Sequence, residues 1–355
     1  MTLSRRAFTV GTGALLLGGA APARAGEVRD SAGRQVRLPD GVSKIFAAGG
    51  PAAVVVYVLR PDAMMGWPRA MRSEEKPYVV PSVRDLPELG QLTGRGGSAN
   101  VEAVLRTKPD LIVDFGSVRP TFASLADAIQ QRTGISYVLV DGRFEATPDS
   151  LRALGAMVGA AERGATLARY AENLFARVEK AKAAVPEDQR PRVYLARGPD
   201  GLETGLKGSI NTEIVERAGG RNVADSGGER SGIVRVSPEQ ILVWNPDVIV
   251  TWDRRFHELL RSGQDPIWQG VKAVREGRIH LAPTAPFGWI DRPPSVNRLI
   301  GLGWLAGIFL GDRFPFELAA ETRSFYKLFY GVDVAEPELA TLLAWADGRP
   351  PAFRQ

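Results

Sequence analysis

Arginine and tryptophan dominate the positions at which this chain could do chemistry, and they cluster just after short apolar runs. Trp67, Arg69 and Arg72 form one group, Phe115, Ser117 and Arg119 a second, and Arg197 stands alone after a third run. Further on come Trp252 with Arg254 and Arg255, and then Phe287, Trp289 and Arg292. A guanidinium fork pairs two oxygens of a carboxylate, phosphate or oxyanion at once. A tryptophan adds a flat apolar wall. Gly49, Gly50 and Pro51 follow the first apolar run, where small side chains let a ligand approach the backbone. The expected chemistry is capture of an anionic ligand, with Arg197 and Trp289 as first candidates, then Trp67 and Arg292, and with Gly50, Pro51, Arg69, Ser117, Trp252 and Arg255 completing the set.

Other chemistries find little support. The chain has two histidines, His257 and His280, and no cysteine. No two histidines lie at ligand spacing, so no metal site is expected, and a bare soft ion has little to hold it. His280 lies inside an apolar run and reads as structural. His257 is a candidate single ligand, and Tyr57 or Tyr78 could serve a haem. Gly94-Arg95-Gly96-Gly97 does not follow a predicted strand, and no nucleophile elbow or P-loop is present. The reading is a binding protein, not an enzyme, with no permanently bound cofactor.

These groups need positioning, and the pattern supplies it. Residues 28–38 alternate around Ser31-Ala32-Gly33 as a hairpin. Strands are predicted at 45–48, 111–114 and 137–140, and again at 192–196, 248–251 and 278–281. Helical spacing fills the gaps, at 124–131, 210–218 and 296–309. This alternation predicts α/β architecture with mainly parallel sheets. Between the two strand sets, residues 148–184 carry apolar positions at three- and four-residue steps, with Pro148 at the start and Pro186 beyond the end. The segment reads as a strut of about 35 residues, roughly 50 Å if wholly helical, or as two abutting helices because Gly164 weakens its middle.

An internal repeat is the most informative feature. Residues 101–113 (VEAVLRTKPDLIV) recur as 238–250 (PEQILVWNPDVIV), offset by 137 at both Glu102/Glu239 and Asp110/Asp247. Each copy reads as a short helix, a Pro-Asp turn and a buried strand. Two copies in register predict two similar halves with a ligand cleft between their strand ends.

The termini and the charge balance bound the rest. Arg5-Arg6, an uncharged stretch and Ala23-Arg24-Ala25 read as an export leader over 1–25, with the arginine pair favouring the twin-arginine route over the general one. Of the 45 lysines and arginines three lie in that leader, leaving 42 against 40 acidic residues, too even for a nucleic-acid partner. Without cysteine, a soluble, unlipidated protein is expected. The domain reading is a first lobe over 26–147, a linking helix over 148–185 and a second lobe with a helical tail over 186–355. The tail, around Phe314, Phe316, Phe325, Tyr326 and Phe329, is expected to pack on the second lobe away from the cleft.

The hairpin, the Ala48-Gly49-Gly50-Pro51 loop, Met65-Gly66-Trp67, both Glu…Pro-Asp copies, the strut and Gly219-Gly220-Arg221-Asn222-Val223 stand in an order that resembles the class III periplasmic binding proteins of vitamin B12, siderophore-iron and haem importers. The resemblance implies two Rossmann-like lobes joined by one long α-helix, and a monomeric carrier in the periplasm serving an ABC importer. It further implies that Glu102 and Glu239 dock with arginines of the membrane permease. The ligand it implies is a metal complex or metal oxyanion. An anionic iron–siderophore comes first, with molybdate or tungstate, a corrinoid, haem or a nickel complex as alternatives. An exported ligand sensor or enzyme using the same cleft is the rival of another class.

Overall fold

The computed structural model describes residues 26–94, 101–225, 232–344 and 346; the leader expected at 1–25 lies outside them. The chain opens with β1 (Glu27–Arg29) and β2 (Gln35–Arg37), an antiparallel pair turning at Gly33. Then come β3 (Ile45–Ala47), α1 (Gly50–Leu59), α2 (Val101–Thr107), β4 (Leu111–Gly116), α3 (Pro120–Thr133) and β5 (Ser136–Asp141). Strands β3, β4 and β5 form a parallel sheet in that order. Helix α1, GPAAVVVYVL, is apolar almost all round, and its positions 52–59 are buried beneath this sheet.

Helices α4 (Thr147–Met157) and α5 (Ala161–Ala183) follow. The strut is therefore two helices. The break falls at Gly159, whose φ of +74° suits glycine, and Gly164 lies inside α5. The two helices then fold against each other, and Arg152 on α4 pairs with Glu172 on α5 at 2.7 Å. Gly155 and Gly164 permit the contact, since a Cβ on Gly164 would come 2.5 Å from the Leu151 carbonyl oxygen. The long linking helix is α5, about 35 Å at 1.5 Å per residue, shorter than a single rod through the whole segment.

The second half contains β6 (Arg192–Ala196), β7 (Glu203–Gly205), α6 (Glu213–Arg217), β8 (Arg221–Asn222), β9 (Ile233–Arg235) and α7 (Pro238–Trp244). It continues with β10 (Val248–Thr251), α8 (Arg254–Ser262), α9 (Pro266–Gln269), α10 (Lys272–Arg275), β11 (Ile279–Leu281) and α11 (Arg298–Leu310). Its sheet runs β11-β10-β6-β8 and every pairing in it is parallel. The architecture is α/β, with two mainly parallel sheets on either side of the α4–α5 pair.

The repeat survives in atomic detail. Lys108 and Asn245, 137 residues apart, both take positive φ (49° and 39°) in the turn before their strands. Asp110 Oδ2 accepts from the Ser43 and Lys44 amides at 2.8 Å, fixing the entry to β3. Asp247 Oδ2 accepts from the Arg192 amide at 2.9 Å, fixing the entry to β6. Burial pushes both carboxyls up, but the Ser43 and Lys44 donors at Asp110, and Lys272 Nζ at 2.7 Å with the Arg192 amide at Asp247, outweigh it and hold both below the usual aspartate range.

The tail departs from expectation. Helix α12 (Leu318–Phe325), its wide-turned continuation Tyr326–Tyr330 and α13 (Glu336–Leu343) bridge the halves instead of covering the second alone. Tyr57 Oη of α1 donates to the Tyr330 carbonyl at 2.5 Å, Tyr78 Oη donates to the Glu338 carbonyl at 2.8 Å, and Tyr170 of α5 packs edge-on against Phe329. Aromatic area decides this, because the first half leaves Tyr57 and Tyr78 to be covered.

Candidate functional site: the inter-lobe cleft

Between the halves lies a cleft of about 810 Å³. The first half contributes Gly50, Ala53 and Val54 of α1, then Trp67, Arg69, Arg72, Glu75 and Glu88 from the loops after it. The second half contributes Trp252 from the end of β10, and Pro286, Phe287 and Arg292 from the loop between β11 and α11. Residues from the ends of parallel strands thus meet across the opening, as the repeat requires.

The floor is aromatic. Trp67 lies 5.8 Å from Phe287 and 5.7 Å from Tyr57, centroid to centroid. Behind them Tyr330 of the tail packs edge-on against Phe287 at 5.5 Å. The Trp67 indole N–H is held by the Val83 carbonyl at 2.7 Å, so its ring face is fixed. Gly50 brings the halves together, since a Cβ there would stand 3.2 Å from Pro293 Cβ, while Ser295 Oγ donates to the Pro51 carbonyl at 2.8 Å.

The rim is charged, and a buried carboxylate organises it. Glu75 accepts from Arg69 at 2.6 and 2.8 Å, and from Arg72 Nη2 at 2.7 Å and its amide at 2.9 Å. Burial raises the Glu75 pKa, yet the two guanidiniums and the amide outweigh it and hold the carboxyl below the usual glutamate range. Both arginine side chains stay more than half exposed, free to turn their remaining N–H groups to the cleft. Across the opening Arg292 is exposed, with φ +64°, a left-handed conformation that costs a residue other than glycine about 1–3 kcal/mol. Its amide donates to Asp291 Oδ1 at 2.8 Å, which holds the turn. The charged lining is three guanidiniums against Glu75 and Glu88, leaving one net positive charge.

Of the ten residues expected to bind, Gly50, Trp67, Arg69, Trp252 and Arg292 line this cleft and five do not. Trp289 is in the core, fully buried, its indole N–H donating to Tyr326 Oη at 3.1 Å and its ring against Trp304. Arg197 points its guanidinium at the buried Asp291 and stacks on Trp252, 4.7 Å from that ring, so it braces the wall from behind. Ser117 Oγ takes up Arg119, Pro51 engages Ser295 through its carbonyl, and Arg255 is exposed on the first turn of α8. Both tryptophans are buried, and what separates them is their neighbours: Trp67 lies at the cleft wall, whereas Trp289 is enclosed by Tyr326 and Trp304. Glu75 and Glu88 were not singled out from the sequence, although Arg69, Arg72 and Glu75 at three-residue steps form a legible charge cluster.

The histidines and tyrosines proposed for metal or haem turn inward. His257 lies fully buried on the inner face of α8, and burial pushes both His257 and His280 down to about 4. Tyr57 and Tyr78, both pushed up to about 12 by burial, spend their hydroxyls on carbonyls in the core. Among the described residues no three His, Asp or Glu side chains converge on a point where a metal could sit. Glu102 and Glu239 are both exposed, on α2 and α7. Among the described residues no helix is long and apolar enough to cross a membrane.

Comparison with known proteins agrees with this architecture. The family model described as "Periplasmic binding protein" matches residues 51–286. The molybdate-binding protein MolA of Haemophilus influenzae is 26% identical over 324 residues, 85% of this chain and 90% of that protein. A cobalamin-binding protein of Halobacterium salinarum is 36% identical over 177 residues, covering 47% of this chain and 45% of that protein. An ABC transporter solute binding protein from Sulfurospirillum deleyianum superposes with a TM-score of 0.81 at 28% identity, over 90% of this chain and 99% of that one. Paired parallel sheets, a helix between them, a cleft at their strand ends and the match over most of the chain lead to one conclusion: this protein belongs to the periplasmic binding protein family.

Proposed function

We propose that this protein captures an anionic metal complex in the cleft, an iron–siderophore first, and delivers it in the periplasm to the permease of an ABC importer, without catalysing a reaction. The observation that carries this reading is the pairing of an aromatic floor, Trp67 and Phe287, with a rim of Arg69, Arg72 and Arg292. The volume of 810 Å³ matches an organic ligand of drug-like size, for which clefts of about 300–1,000 Å³ are usual. A single net positive charge suits a chelate with one or two ionised groups better than a compact dianion. A four-oxygen anion would leave most of the floor uncovered.

A second reading is capture of molybdate or tungstate, favoured by the match to a molybdate-binding protein over 85% of this chain. Native mass spectrometry of protein purified from its own host, with elemental analysis for iron, molybdenum, cobalt and nickel, separates the two. Quenching of Trp67 and Trp252 fluorescence by a panel of ferric chelates and by molybdate then gives affinities. Submicromolar binding of molybdate with no response to any chelate overturns the first reading.

Delivery rests on Glu102 and Glu239, two exposed carboxylates on equivalent short helices, a fixed pair suited to recognising a symmetric basic partner. Charge reversal of both should abolish uptake and leave capture intact. Normal uptake by the double variant removes the docking role.

A further inference from the structure

The docking faces are not equivalent, and the difference lies in what surrounds each glutamate. Among the described residues the exposed large apolar side chains are Leu105, Leu125, Leu242, Val243 and Ile267. Scattered singly such residues mean nothing. Here every one lies on a glutamate-bearing helix or on the helix packed beside it. Leu105 follows Glu102 by three residues on α2, and Leu242 follows Glu239 by three on α7, at the same repeat offset of 137. Three-residue spacing puts each leucine on the face of its glutamate. Leu125 is on α3, which packs on α2; Ile267 is on α9, which packs on α7, with Leu242 Cδ2 within 2.8 Å of where a Gly270 Cβ would be.

Of the differences between the two copies, one replaces an exposed charge with an exposed apolar side chain. Arg106 in the first copy is Val243 in the second, and Val243 is 77% exposed, the most exposed of the five. Arg106 is exposed four residues from Glu102, so the first face carries opposite charges within reach of each other. The second face has one carboxylate beside three apolar side chains. Exposed apolar groups gathered around a recognition residue mark a contact surface, with the apolar centre supplying affinity and the charge supplying orientation.

We propose that Glu239, Leu242, Val243 and Ile267 form the principal contact with the permease, and that the Glu102 face makes a weaker, charge-steered one. The inference rests on the docking reading above. The partner it requires is a permease surface with an apolar side chain next to a basic one, repeated on two subunits because the carrier's own faces are duplicated. One half of the carrier then engages first and holds, and the second lobe is the one that does so.

The test measures binding of the ligand-loaded protein to its cognate permease–ATPase complex in phospholipid nanodiscs, at low and at about 0.5 M salt, where exposed charge pairs are screened. Val243→Asp and Leu242→Asp should each weaken docking at least tenfold, while Leu105→Asp and Arg106→Asp change it less than threefold. Wild-type docking should lose little at high salt. Ligand affinity and melting temperature serve as fold controls, and Val243→Ser provides a milder variant at the same site. Equal losses from Leu105→Asp and Val243→Asp overturn the asymmetry. Unchanged docking of Val243→Asp alongside failure of the Glu102/Glu239 charge reversal overturns the apolar contact and leaves the glutamate reading standing. Unchanged docking in all variants removes both.

Discussion

Glu75 Oε1 accepts a hydrogen bond from Arg69 Nη2 at 2.6 Å, with a carboxylate only 1% exposed and a guanidinium more than half open to the cleft. The same oxygen takes Arg72 Nη2 at 2.7 Å. One buried anion therefore aims two cations, and the ligand-facing charge of the first half is organised by a residue that the ligand need not touch.

Glu75→Gln keeps the shape and removes the charge. Loss of the charge-assisted bonds should lower stability by about 1–2 kcal/mol, at the low end because both arginines can relax into water. The substitution also adds net positive charge to the cleft, which by itself would strengthen anion binding. If positioning is the larger effect, affinity for the host-derived ligand falls about tenfold by fluorescence titration. A rise in affinity shows that Glu75 only offsets charge.

Arg292 separates strain from function. Arg292→Gly relieves a positive φ of 64°, so the melting temperature should hold or rise, by an amount equivalent to up to about 1 kcal/mol. Ligand affinity should drop tenfold, about 1.4 kcal/mol. Binding unchanged in this variant removes Arg292 from the ligand's surroundings.

Arg197→Ala tests the bracing role. It leaves the buried Asp291 without its cation, and breaking such a pair costs about 3 kcal/mol. Arg197→Lys should recover part of that stability. A large affinity loss with no change in melting temperature indicates direct ligand contact instead.

Arg298 ties the halves. Fully buried, it donates to Glu213 at 2.8 Å and to the Gly142 carbonyl at 3.1 Å, and stacks on Phe144. Burial pushes its pKa down, with Glu213 working the other way. Arg298→Met should cost about 3 kcal/mol or more and raise amide exchange in β5 and in residues 288–297. Exchange unaltered in both segments argues against a cross-lobe lock.

Acid should weaken the protein through its histidines. The rings of His257 and His280 titrate near 4 when folded and near 6.5 when unfolded. Between those values the unfolded chain binds protons that the folded chain refuses, so stability is present in full above about 6.5 and is lost as pH falls toward 4. His280→Phe should flatten the dependence of melting temperature on pH between 6.5 and 5. A slope equal to wild type rules His280 out as a contributor.

Local pattern was enough for the α/β class, both parallel sheets, the repeat and the exposed glutamates. Each depends on periodicity or on turn chemistry within a dozen residues, such as the Pro-Asp turns whose Asp110 and Asp247 pin the neighbouring strands. Of the residues that line the cleft, Gly50 and Trp252 were placed by the short loops after β3 and β10, whereas Trp67 and Arg292 sit farther along, on loops whose course local pattern did not set. What distinguished Trp67 from Trp289, or Arg69 from Arg197, was long-range. Trp289 is covered by α11 and the tail, and Arg197 by an aspartate 94 residues away. The break at Gly159 and the clamp of Tyr330 on Tyr57 belong to the same class. Side-chain type and spacing set what a residue can do, whereas which neighbours desolvate it is decided only when distant segments pack.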